Sequence, residues 1–360
     1  MKNIVANIFG GPSPEHDISI LTGLQASRIL SSNYDLKNIY WSKDNRFYLI
    51  ENELESKDFL DNKSIFKKEL QLNISSNSGF YLKKKKIDFQ AIINSCHGGP
   101  GEDGTLQAIF DITGFKYTGS SLTTSKIGMD KYAFYLLMKE NGLKVLDKIL
   151  YNSSLKPEMK GPFIIKPRFG GSSIGVEVVD NFDSIDRIIK NSNLYNQGTV
   201  VEKFLPNSID LLVAVRNYPK FEHSEIEKPT RSTNLEMFSY RDKYLGNGGL
   251  EGSKRELPAQ ISKTIEEKIE IELNKLNEIL NIQGIARVDF LLQDNELYIN
   301  EINTIPGSHA LYLWSNLGKS KFELLNDMID EALSKKTIWS TEGSDGLALK
   351  SAKDIQSKLG

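Results

Sequence analysis

The triplets Arg287-Val288-Asp289 and Glu301-Ile302-Asn303 decide the fold of this chain, because each places two polar side chains at alternate positions within an apolar run. The apolar flanks predict two β-strands, and the polar segment 293–295 predicts a hairpin turn between them. Alternate residues of a strand share one face of the sheet, so the four polar side chains lie together. We expect Gln293 to pair with Leu297, which sets the register of the hairpin.

In that register Asp289 lies opposite Glu301, and Arg287 lies opposite Asn303. Opposed carboxylates repel each other, and burial increases the cost. A hard divalent cation bound by both carboxylates and by the Asn303 amide oxygen removes the conflict. Arg287 is then suited to bind a phosphate or a carboxylate through two hydrogen bonds. The alternative is an exposed sheet face with four ordinary polar residues, and it is less favoured because both strands lead into the irregular segment 304–307.

Composition indicates a globular protein of two or three domains, since the chain has 360 residues, 39% hydrophobic and 26% charged. The net charge of −2 gives no sign of a nucleic-acid or membrane partner. A single cysteine excludes a disulfide framework and favours a reducing compartment. The N-terminus lacks the features of a signal peptide, and no stretch has the length of a membrane helix. We therefore expect a cytoplasmic protein.

The first part of the chain alternates strands, glycine-rich loops and helices, which predicts a parallel sheet with ligands at the strand ends. Residues 51–86 carry no clear pattern, and the lysine run 83–86 is interpreted as a solvated turn. The predicted strands are 3–9, 36–41 and 89–94, and the predicted helices are 18–30 and 105–113.

Two glycine-rich loops carry candidate ligand-binding residues. Glu15 is either part of an N-cap cluster with His16 and Asp17 or an anion that holds an ammonium group. His97 is either a hydrogen-bond donor at the second loop or a structural histidine. The spacing Gly99-x-Gly101-x-x-Gly104 matches a dinucleotide fingerprint, but its acidic residues would lie against the pyrophosphate, so we discount it.

A second unit begins near residue 125. Lys131 starts a helix over 131–141, where a cation opposes the helix dipole, which hints at a phosphate nearby. The strand 163–166 ends in Lys166 and leads into the glycine- and serine-rich loop 167–175, whose backbone N–H groups suit phosphates. On the strand 199–205, Glu202 and Lys203 are interpreted either as an adenine contact or as ordinary charges on an edge strand.

The last part of the chain holds the longest amphipathic helix, predicted over 261–280. Asp210 opens a strand over 211–215. Residues 229–256 form a long stretch with few core residues, which we interpret as a lid, since loops of that length are uncommon without a role. Gly318-Lys319-Ser320 is interpreted as a helix terminus rather than a P-loop. Residues 341–360 receive no role.

Together these motifs resemble those of the D-alanine–D-alanine ligases of the ATP-grasp superfamily. They occur in family order from residue 4 to about residue 335. The motifs are 10–19 around Glu15, 97–107 after His97, Tyr117-Thr-Gly-Ser, Met129-Asp130-Lys131, Lys166-Pro, Gly171-Ser172-Ser173-Ile-Gly175, Glu202-Lys203, Tyr240-Arg-Asp-Lys243-Tyr244, Arg287-Val-Asp289 and 300–307.

The resemblance implies an α/β ATP-grasp fold of three α/β domains. These are a Rossmann-like N-terminal domain at 1–125, a central subdomain at 126–207 and a C-terminal subdomain at 208–340 with the lid 229–256, before a tail at 341–360. It also implies that ATP and two D-alanine molecules give D-alanyl-D-alanine through an acyl phosphate, for peptidoglycan precursor synthesis. Two Mg²⁺ ions, with Mn²⁺ as a substitute, and a homodimer are implied as well.

The resemblance also assigns roles to single residues. Phosphates are held by Lys131, Lys166 and Lys243; adenine and ribose by Glu202, Lys203, Leu205 and Asp210; metal ions by Asp289, Glu301 and Asn303; substrates by Glu15, His97, Gly307 and Ser308; the lid by a Glu15–Ser172–Tyr244 triad; and the oxyanion by Arg287 and Gly307.

The chain departs from the family pattern after Gly307, where many relatives are longer and place a serine near the acceptor carboxylate. Ser308 or backbone N–H groups are the candidates to replace that serine, and D-serine or D-lactate is the alternative acceptor. Asp210 also stands where a glutamate is usual. Two rival functions are another ATP-grasp ligase or carboxylating enzyme and a non-catalytic nucleotide-binding regulator.

Overall fold

The computed structural model describes residues 2–61, 63–152, 160–229, 255–336, 339–351 and 355. Almost all of the predicted lid, 229–256, lies outside these residues. None of the described helices combines the length and the apolar character that crossing a membrane requires.

The first sheet contains seven strands in the order β6-β5-β4-β3-β2-β1-β7. Its strands are β1 Ile4–Gly10, β2 Asp35–Trp41, β3 Phe47–Ile50, β4 Glu69–Asn73, β5 Gly79–Leu82, β6 Lys85–Lys86 and β7 Ala91–Asn94. The predicted parallel pairing is confirmed for β1 with β2 and with β7. The strands from β3 to β6 join antiparallel and were missed, because they are short and expose many side chains. Lys85–Lys86 belongs to β6, so the interpretation of 83–86 as a turn was wrong for these two residues.

The second sheet contains four antiparallel strands in the order β10-β9-β11-β8. They are β8 Lys148–Leu150, β9 Phe163–Pro167, β10 Glu177–Val179 and β11 Thr199–Lys203. β11 has a neighbour on each side, so the interpretation of this segment as an edge strand was wrong. The glycine- and serine-rich loop joins β9 to β10, as predicted.

The third sheet contains five antiparallel strands in the order β14-β13-β12-β15-β16. They are β12 Ile209–Arg216, β13 Glu222–Pro229, β14 Arg255–Glu256, β15 Ile285–Gln293 and β16 Glu296–Asn303. Strands β15 and β16 are the predicted hairpin that carries the polar triplets.

The hairpin pairs its polar residues as predicted but reaches that register differently. Asp289 lies opposite Glu301, whereas Gln293 pairs with Glu296 instead of Leu297. The turn is the two-residue type with positive φ at Asp294 and Asn295, at 51° and 63°. A register shift between Asp289 and Phe290 inserts one extra residue into β16 and restores the predicted opposition.

Helices cover the sheets and supply the rest of the core. They are α1 His16–Leu30, α2 Asp58–Asp61, α3 Gly99–Glu102, α4 Thr105–Thr113, α5 Leu122–Met129, α6 Lys131–Glu140, α7 Ile185–Lys190, α8 Lys263–Leu280, α9 Lys321–Ser334 and α10 Leu347–Ser351. Short 3₁₀ segments occur at Lys63–Lys67, Phe182–Ser184, Asn193–Tyr195 and Gly307–Leu317.

The longest described helix, α8, buries one apolar stripe against the third sheet. The stripe consists of Ile265, Ile269, Leu273, Leu276 and Leu280, at the spacing that places residues on one helical face. The helix begins at Lys263 rather than at the predicted Ile261, because Ser262 occupies the N-cap position.

The segment 318–320 is a boundary between helices, as predicted. Gly318 has a positive φ of 71° after the 3₁₀ segment, and the Ser320 side chain accepts a hydrogen bond from the backbone of Glu323 at the start of α9.

Candidate active site

A cleft of about 780 Å³ gathers most of the predicted site residues. Its walls come from α1, from the strand ends of the second and third sheets and from the loops between them. The predicted residues that line it are Lys131, Lys166, Glu202, Lys203, Leu205, Asp210, Arg287, Asp289, Glu301, Gly307 and Ser308.

In the cleft, the two opposed carboxylates of the hairpin are each paired with a cation. Arg287 donates two hydrogen bonds to Asp289, of 2.6 Å from Nε and 2.8 Å from Nη2. Lys131 Nζ lies 3.7 Å from Glu301 Oε2. Asn303 Nδ2 donates to Asp289 Oδ2 at 3.3 Å. The guanidinium thus binds a carboxylate of its own strand through two hydrogen bonds, and its predicted contact with a phosphate or carboxylate beside a bound metal stays a prediction.

The donor set at this end fits a hard divalent cation. Two carboxylates and one amide supply only oxygen ligands, which Mg²⁺ prefers. Among the described residues, no group of three or more His, Cys, Asp or Glu side chains could hold a metal ion. The set proposed here has two carboxylates, and its third ligand is the amide oxygen of Asn303, a residue type outside that group.

Beside the hairpin carboxylates lies a buried ionic cluster, since Lys166 of this cluster bonds to Asn300, the neighbour of Glu301. Glu202 is 1% exposed and forms ion pairs with Lys148 and Lys166. Burial tends to raise the pKa of the Glu202 carboxyl, but the two lysines outweigh it and lower the pKa to about 2. The carboxylate predicted to contact adenine is therefore ionised and held by lysines in the protein alone.

Asn300, the residue added to β16 by the register shift, also reaches this cluster. Lys166 Nζ donates to Asn300 Oδ1 at 3.3 Å. The sequence analysis missed Asn300 and Lys148, because an isolated lysine or asparagine on a strand carries no local signal of a site.

The loop between β9 and β10 is anchored at both of its sides. Arg168 donates to Asp130 at 2.8 Å and 2.6 Å, and Asp130 also caps the N-terminus of α6. Ser172 Oγ donates to Glu15 Oε1. Ser172 and Ser173 have positive φ values of 52° and 58°, which non-glycine residues seldom adopt outside functional loops.

The Glu15–Ser172 hydrogen bond joins the first glycine-rich loop to the glycine- and serine-rich loop between β9 and β10. Glu15 occupies the N-cap position of α1, but its side chain makes no capping hydrogen bond. The capping interpretation is therefore not supported, and the carboxylate instead faces the cleft-lining loop. The third predicted member of the triad, Tyr244, lies outside the described residues, as do Tyr240 and Lys243.

His97 is buried, and both of its ring nitrogens have partners inside the protein. Nδ1 donates to the Ile305 carbonyl at 2.7 Å, which leaves Nε2 to accept from Thr22 Oγ1 at 2.7 Å. Thr22 Oγ1 also accepts from the Ser308 backbone at 3.0 Å. Burial lowers the pKa of His97 to about 4, so the ring is neutral at pH 7. This network favours the structural interpretation of His97.

Glu102, like His97, connects the second glycine-rich loop to the segment that follows β16. Its carboxylate accepts from the backbone N–H of Gly98 at 2.9 Å and of Ile305 at 2.8 Å. Burial, with the nearby charge of Glu15, raises the pKa of Glu102 to about 7. The sequence analysis used Glu102 only as an argument against a dinucleotide site and missed this role.

The segment after Gly307 has an unusual backbone. Ser308, His309 and Ala310 all have positive φ values, of 53°, 49° and 50°. His309 is buried and its Nε2 lies 3.0 Å from Ser95 Oγ. Three successive left-handed residues are costly, so this segment is held by its surroundings.

Glu227, Arg255 and Tyr312 form a further wall of the cleft, which the sequence did not predict. Glu227 is buried and accepts from the Tyr312 hydroxyl at 2.5 Å. Arg255 lies 3.7 Å from Glu227 and 4.8 Å from the centre of the Tyr312 ring. These residues are far apart in sequence, so no motif could indicate them.

Comparison with known proteins covers nearly the whole chain. The family described as D-ala D-ala ligase N-terminus matches residues 4–120, and the family described as D-ala D-ala ligase C-terminus matches residues 123–331. A D-alanine–D-alanine ligase from Thermosipho melanesiensis is 33% identical over 342 residues, which cover 91% of this chain and 92% of the relative.

Solved structures agree with this. The D-alanine–D-alanine ligase from Helicobacter pylori superposes with a TM-score of 0.75 at 28% identity, covering 92% of this chain and 98% of that one. A D-Ala:D-Ser ligase from Enterococcus faecalis has a TM-score of 0.76 and covers 92% of this chain and 100% of that one. Its identity of 24% supports likeness of fold alone.

Proposed function

This chain belongs to the D-alanine–D-alanine ligase family, and from that premise we propose how its own residues carry out the reaction. It is an ATP-dependent ligase with an ATP-grasp fold. It joins two D-alanine molecules to D-alanyl-D-alanine for peptidoglycan precursor synthesis, with release of ADP and phosphate.

The carboxylate of the first D-alanine attacks the γ-phosphate of ATP, and the amine of the second displaces phosphate from the resulting acyl phosphate. Such a transfer depends on neutralising charge and on positioning more than on covalent catalysis. Lys131 and Lys166 line the cleft where phosphate oxygens would lie. Lys203, Leu205 and Asp210 line it as well, and we assign them to adenine and ribose.

Glu15 is proposed to hold the ammonium group of the first D-alanine. Its carboxylate lies beside the loop that we assign to the phosphates, through the hydrogen bond from Ser172. Arg287 and the Gly307 backbone are proposed to stabilise the oxyanion that forms when the amine attacks. Both line the same cleft, so the acyl group and the transferred phosphate would meet there.

The family implies ATP and a divalent metal ion, and we propose two Mg²⁺ ions, with Mn²⁺ as a substitute. When bound, the metal neutralises charge on the phosphate oxygens. Asp289, Glu301 and Asn303 would hold it, and their oxygen donors support this assignment. Arg287 and Lys131 neutralise the same two carboxylates in the protein alone.

We propose domain limits of 1–125, 126–207 and 208–340, with a tail at 341–360. The three sheets support this division, because each is built from one of these segments. We also propose a homodimer in the cytoplasm. Light scattering of the purified protein tests whether it is a dimer. Fractionation of expressing cells tests whether it is in the cytoplasm.

The observation that carries the proposal is the convergence of Lys131, Lys166, Arg287 and the hairpin carboxylates in one cleft. No observation favours D-serine or D-lactate as the acceptor. Phosphate release from Mg-ATP should require D-alanine and should not respond to bicarbonate. Release with bicarbonate alone would favour a carboxylating enzyme, and no release under either condition would favour a regulator.

A further inference from the structure

A buried cluster in the cleft contains two lysines and one glutamate. Lys148 of β8 and Lys166 of β9 form ion pairs with different oxygens of Glu202 on β11. Because β11 lies between β9 and β8, the two lysines approach Glu202 from opposite sides. Lys148 is the direct cross-strand neighbour of Glu202 in the register.

Water barely reaches this cluster. The side chains of Lys148, Lys166 and Glu202 are 3%, 10% and 1% exposed. The two lysines carry one charge more than Glu202, and Glu301 and Asp210 offset it from outside the cluster. A nucleotide phosphate that arrives beside Lys166 has the charge to compete with these carboxylates for the lysine.

The two lysines are not equivalent. Lys166 and Glu202 line the cleft, whereas Lys148 is not among the cleft-lining residues. Lys166 also reaches Asn300, at 3.3 Å, beyond the ion pair. Lys166 is thus the member of the pair that can turn towards a ligand, and Lys148 is the member that stays behind Glu202.

We propose that Lys148 is a positioning residue for nucleotide binding, which keeps Glu202 paired while Lys166 turns from Glu202 towards a phosphate. The inference rests on the proposed function, since it takes ATP as the ligand. Without Lys148, the movement of Lys166 would leave a buried carboxylate unpaired, which is strongly unfavourable. Lys166 would then stay on Glu202 and the phosphate would lose a partner.

The movement also explains how Glu202 could contact a nucleotide at all. In the protein alone both carboxylate oxygens are engaged by lysines. When Lys166 leaves one oxygen, that oxygen becomes open to the amino group of adenine. Lys148 therefore permits an exchange of partners, in which Lys166 binds the phosphate and the adenine amino group replaces Lys166 on the Glu202 carboxylate.

The test is to measure the binding of ADP and of adenosine to the full chain by calorimetry. In Lys148→Met, the ratio of the adenosine Kd to the ADP Kd should fall by about tenfold, the typical worth of one charge-assisted hydrogen bond. The ratio is informative because a general loss of structure would weaken the binding of both ligands, and that effect would largely cancel in the ratio of the two Kd values.

Two further variants separate this role from a structural one. In Lys148→Met/Glu202→Gln, the neutral amide no longer retains Lys166, so the ratio should recover towards that of the unmodified protein. Lys139→Met makes the same substitution in the exposed pair that Lys139 forms with Asp147, and it should leave the ratio unchanged.

An unchanged ratio in Lys148→Met would overturn the inference and leave the ligase assignment intact. A double variant whose ratio stays as low as that of Lys148→Met would also overturn it. If the unmodified protein bound ADP no more tightly than adenosine, the phosphate assignments would fail, and this inference would fall with them.

Discussion

At the residue scale, three carboxylates of the cleft are each paired with at least one cation of the protein. Asp289 is paired with Arg287, Glu301 with Lys131, and Glu202 with two lysines. In the proposed function, a metal ion would take over from Arg287 and Lys131, and a nucleotide would draw Lys166 away while Lys148 stays on Glu202. The protein can therefore keep its site folded in the absence of ligand without leaving charges uncompensated.

Glu301→Ala should abolish turnover while leaving the fold intact. The substitution removes one of the two carboxylates proposed to hold metal, so we expect ADP release to fall by roughly a thousandfold or more. Glu301 is partly exposed, so the melting temperature should change little. Steady-state ADP release at millimolar Mg²⁺, with a thermal melt of the same sample, measures both.

Glu296→Ala is the matched control for that variant, because Glu296 lies at the other end of the same strand and is half exposed. It should retain nearly normal activity. Near-normal activity of Glu301→Ala would instead contradict the metal assignment.

His309 should make the protein less stable in mild acid. Burial, with the charge of nearby His97, lowers the pKa of His309 to about 3, below its ordinary value of 6.5. As pH falls below 6.5, His309 is protonated in the unfolded chain but stays neutral in the folded chain. The free energy of unfolding therefore decreases between pH 6.5 and about 3. At pH 5.5 the loss from this residue amounts to about 1.4 kcal/mol.

His309→Gln should reduce this pH dependence while allowing a hydrogen bond with Ser95. Urea unfolding at pH 7.5 and 5.5 measures it for both proteins. The stability difference between the two pH values should be smaller in the variant by about 1 kcal/mol. Equal differences in both proteins would show that His309 titrates normally in the folded state.

The sequence indicated some of these residues and not others, for a physical reason. Lys131 starts a helix and Lys166 is the only charged residue of its strand, next to the strand's last residue, so each is conspicuous in its local pattern. Lys148 resembles any lysine on a strand, and its role arises from Glu202, which lies 54 positions away. The same applies to Thr22, which meets Ser308 only in the folded chain.

At the element scale, the hairpin of β15 and β16 shows what alternation can and cannot predict. Alternating polar and apolar residues predicted which side chains share a face, and the opposition of Asp289 and Glu301 is confirmed. Alternation does not count the residues of a turn, so the pairing of Gln293 was wrong by one residue. The register shift is therefore a feature of the site, since it places Asn300 beside Lys166.

Leu273→Ala should destabilise the protein by about 2–5 kcal/mol, because it creates a cavity beneath α8. Leu273 is fully buried in the core between α8 and the third sheet. Ile271→Ala on the same helix should cost far less, since Ile271 is 54% exposed. Urea unfolding of both variants gives the comparison, and equal losses would mean that α8 does not pack as described.

At the scale of the whole molecule, hydrogen bonds tie the N-terminal segment to the loop after β16. Ile305 accepts from His97 and donates to Glu102, and Ser308 donates to Thr22. The N-terminal segment therefore helps to position the residues that follow the triplet Glu301-Ile302-Asn303. No local motif could predict this arrangement, because it joins residues more than 200 positions apart.

Thr22→Val should weaken the use of D-alanine without affecting ATP. The hydroxyl accepts from Ser308 and bonds to His97, so its loss leaves the buried His97 ring and the partly buried Ser308 N–H without that partner. We expect KM for D-alanine to rise by roughly tenfold and KM for ATP to change little. The exposed Thr123→Val is the control. An equal rise in both KM values would point to a general loss of structure.

The central claim is that this chain activates one D-alanine as an acyl phosphate within the cleft. The most direct measurement supplies D-alanine labelled with ¹⁸O in its carboxylate, together with unlabelled Mg-ATP, and analyses the released phosphate by mass spectrometry. The account predicts one ¹⁸O atom in each phosphate and one D-alanyl-D-alanine for each ADP. Unlabelled phosphate, or label in AMP, would contradict it.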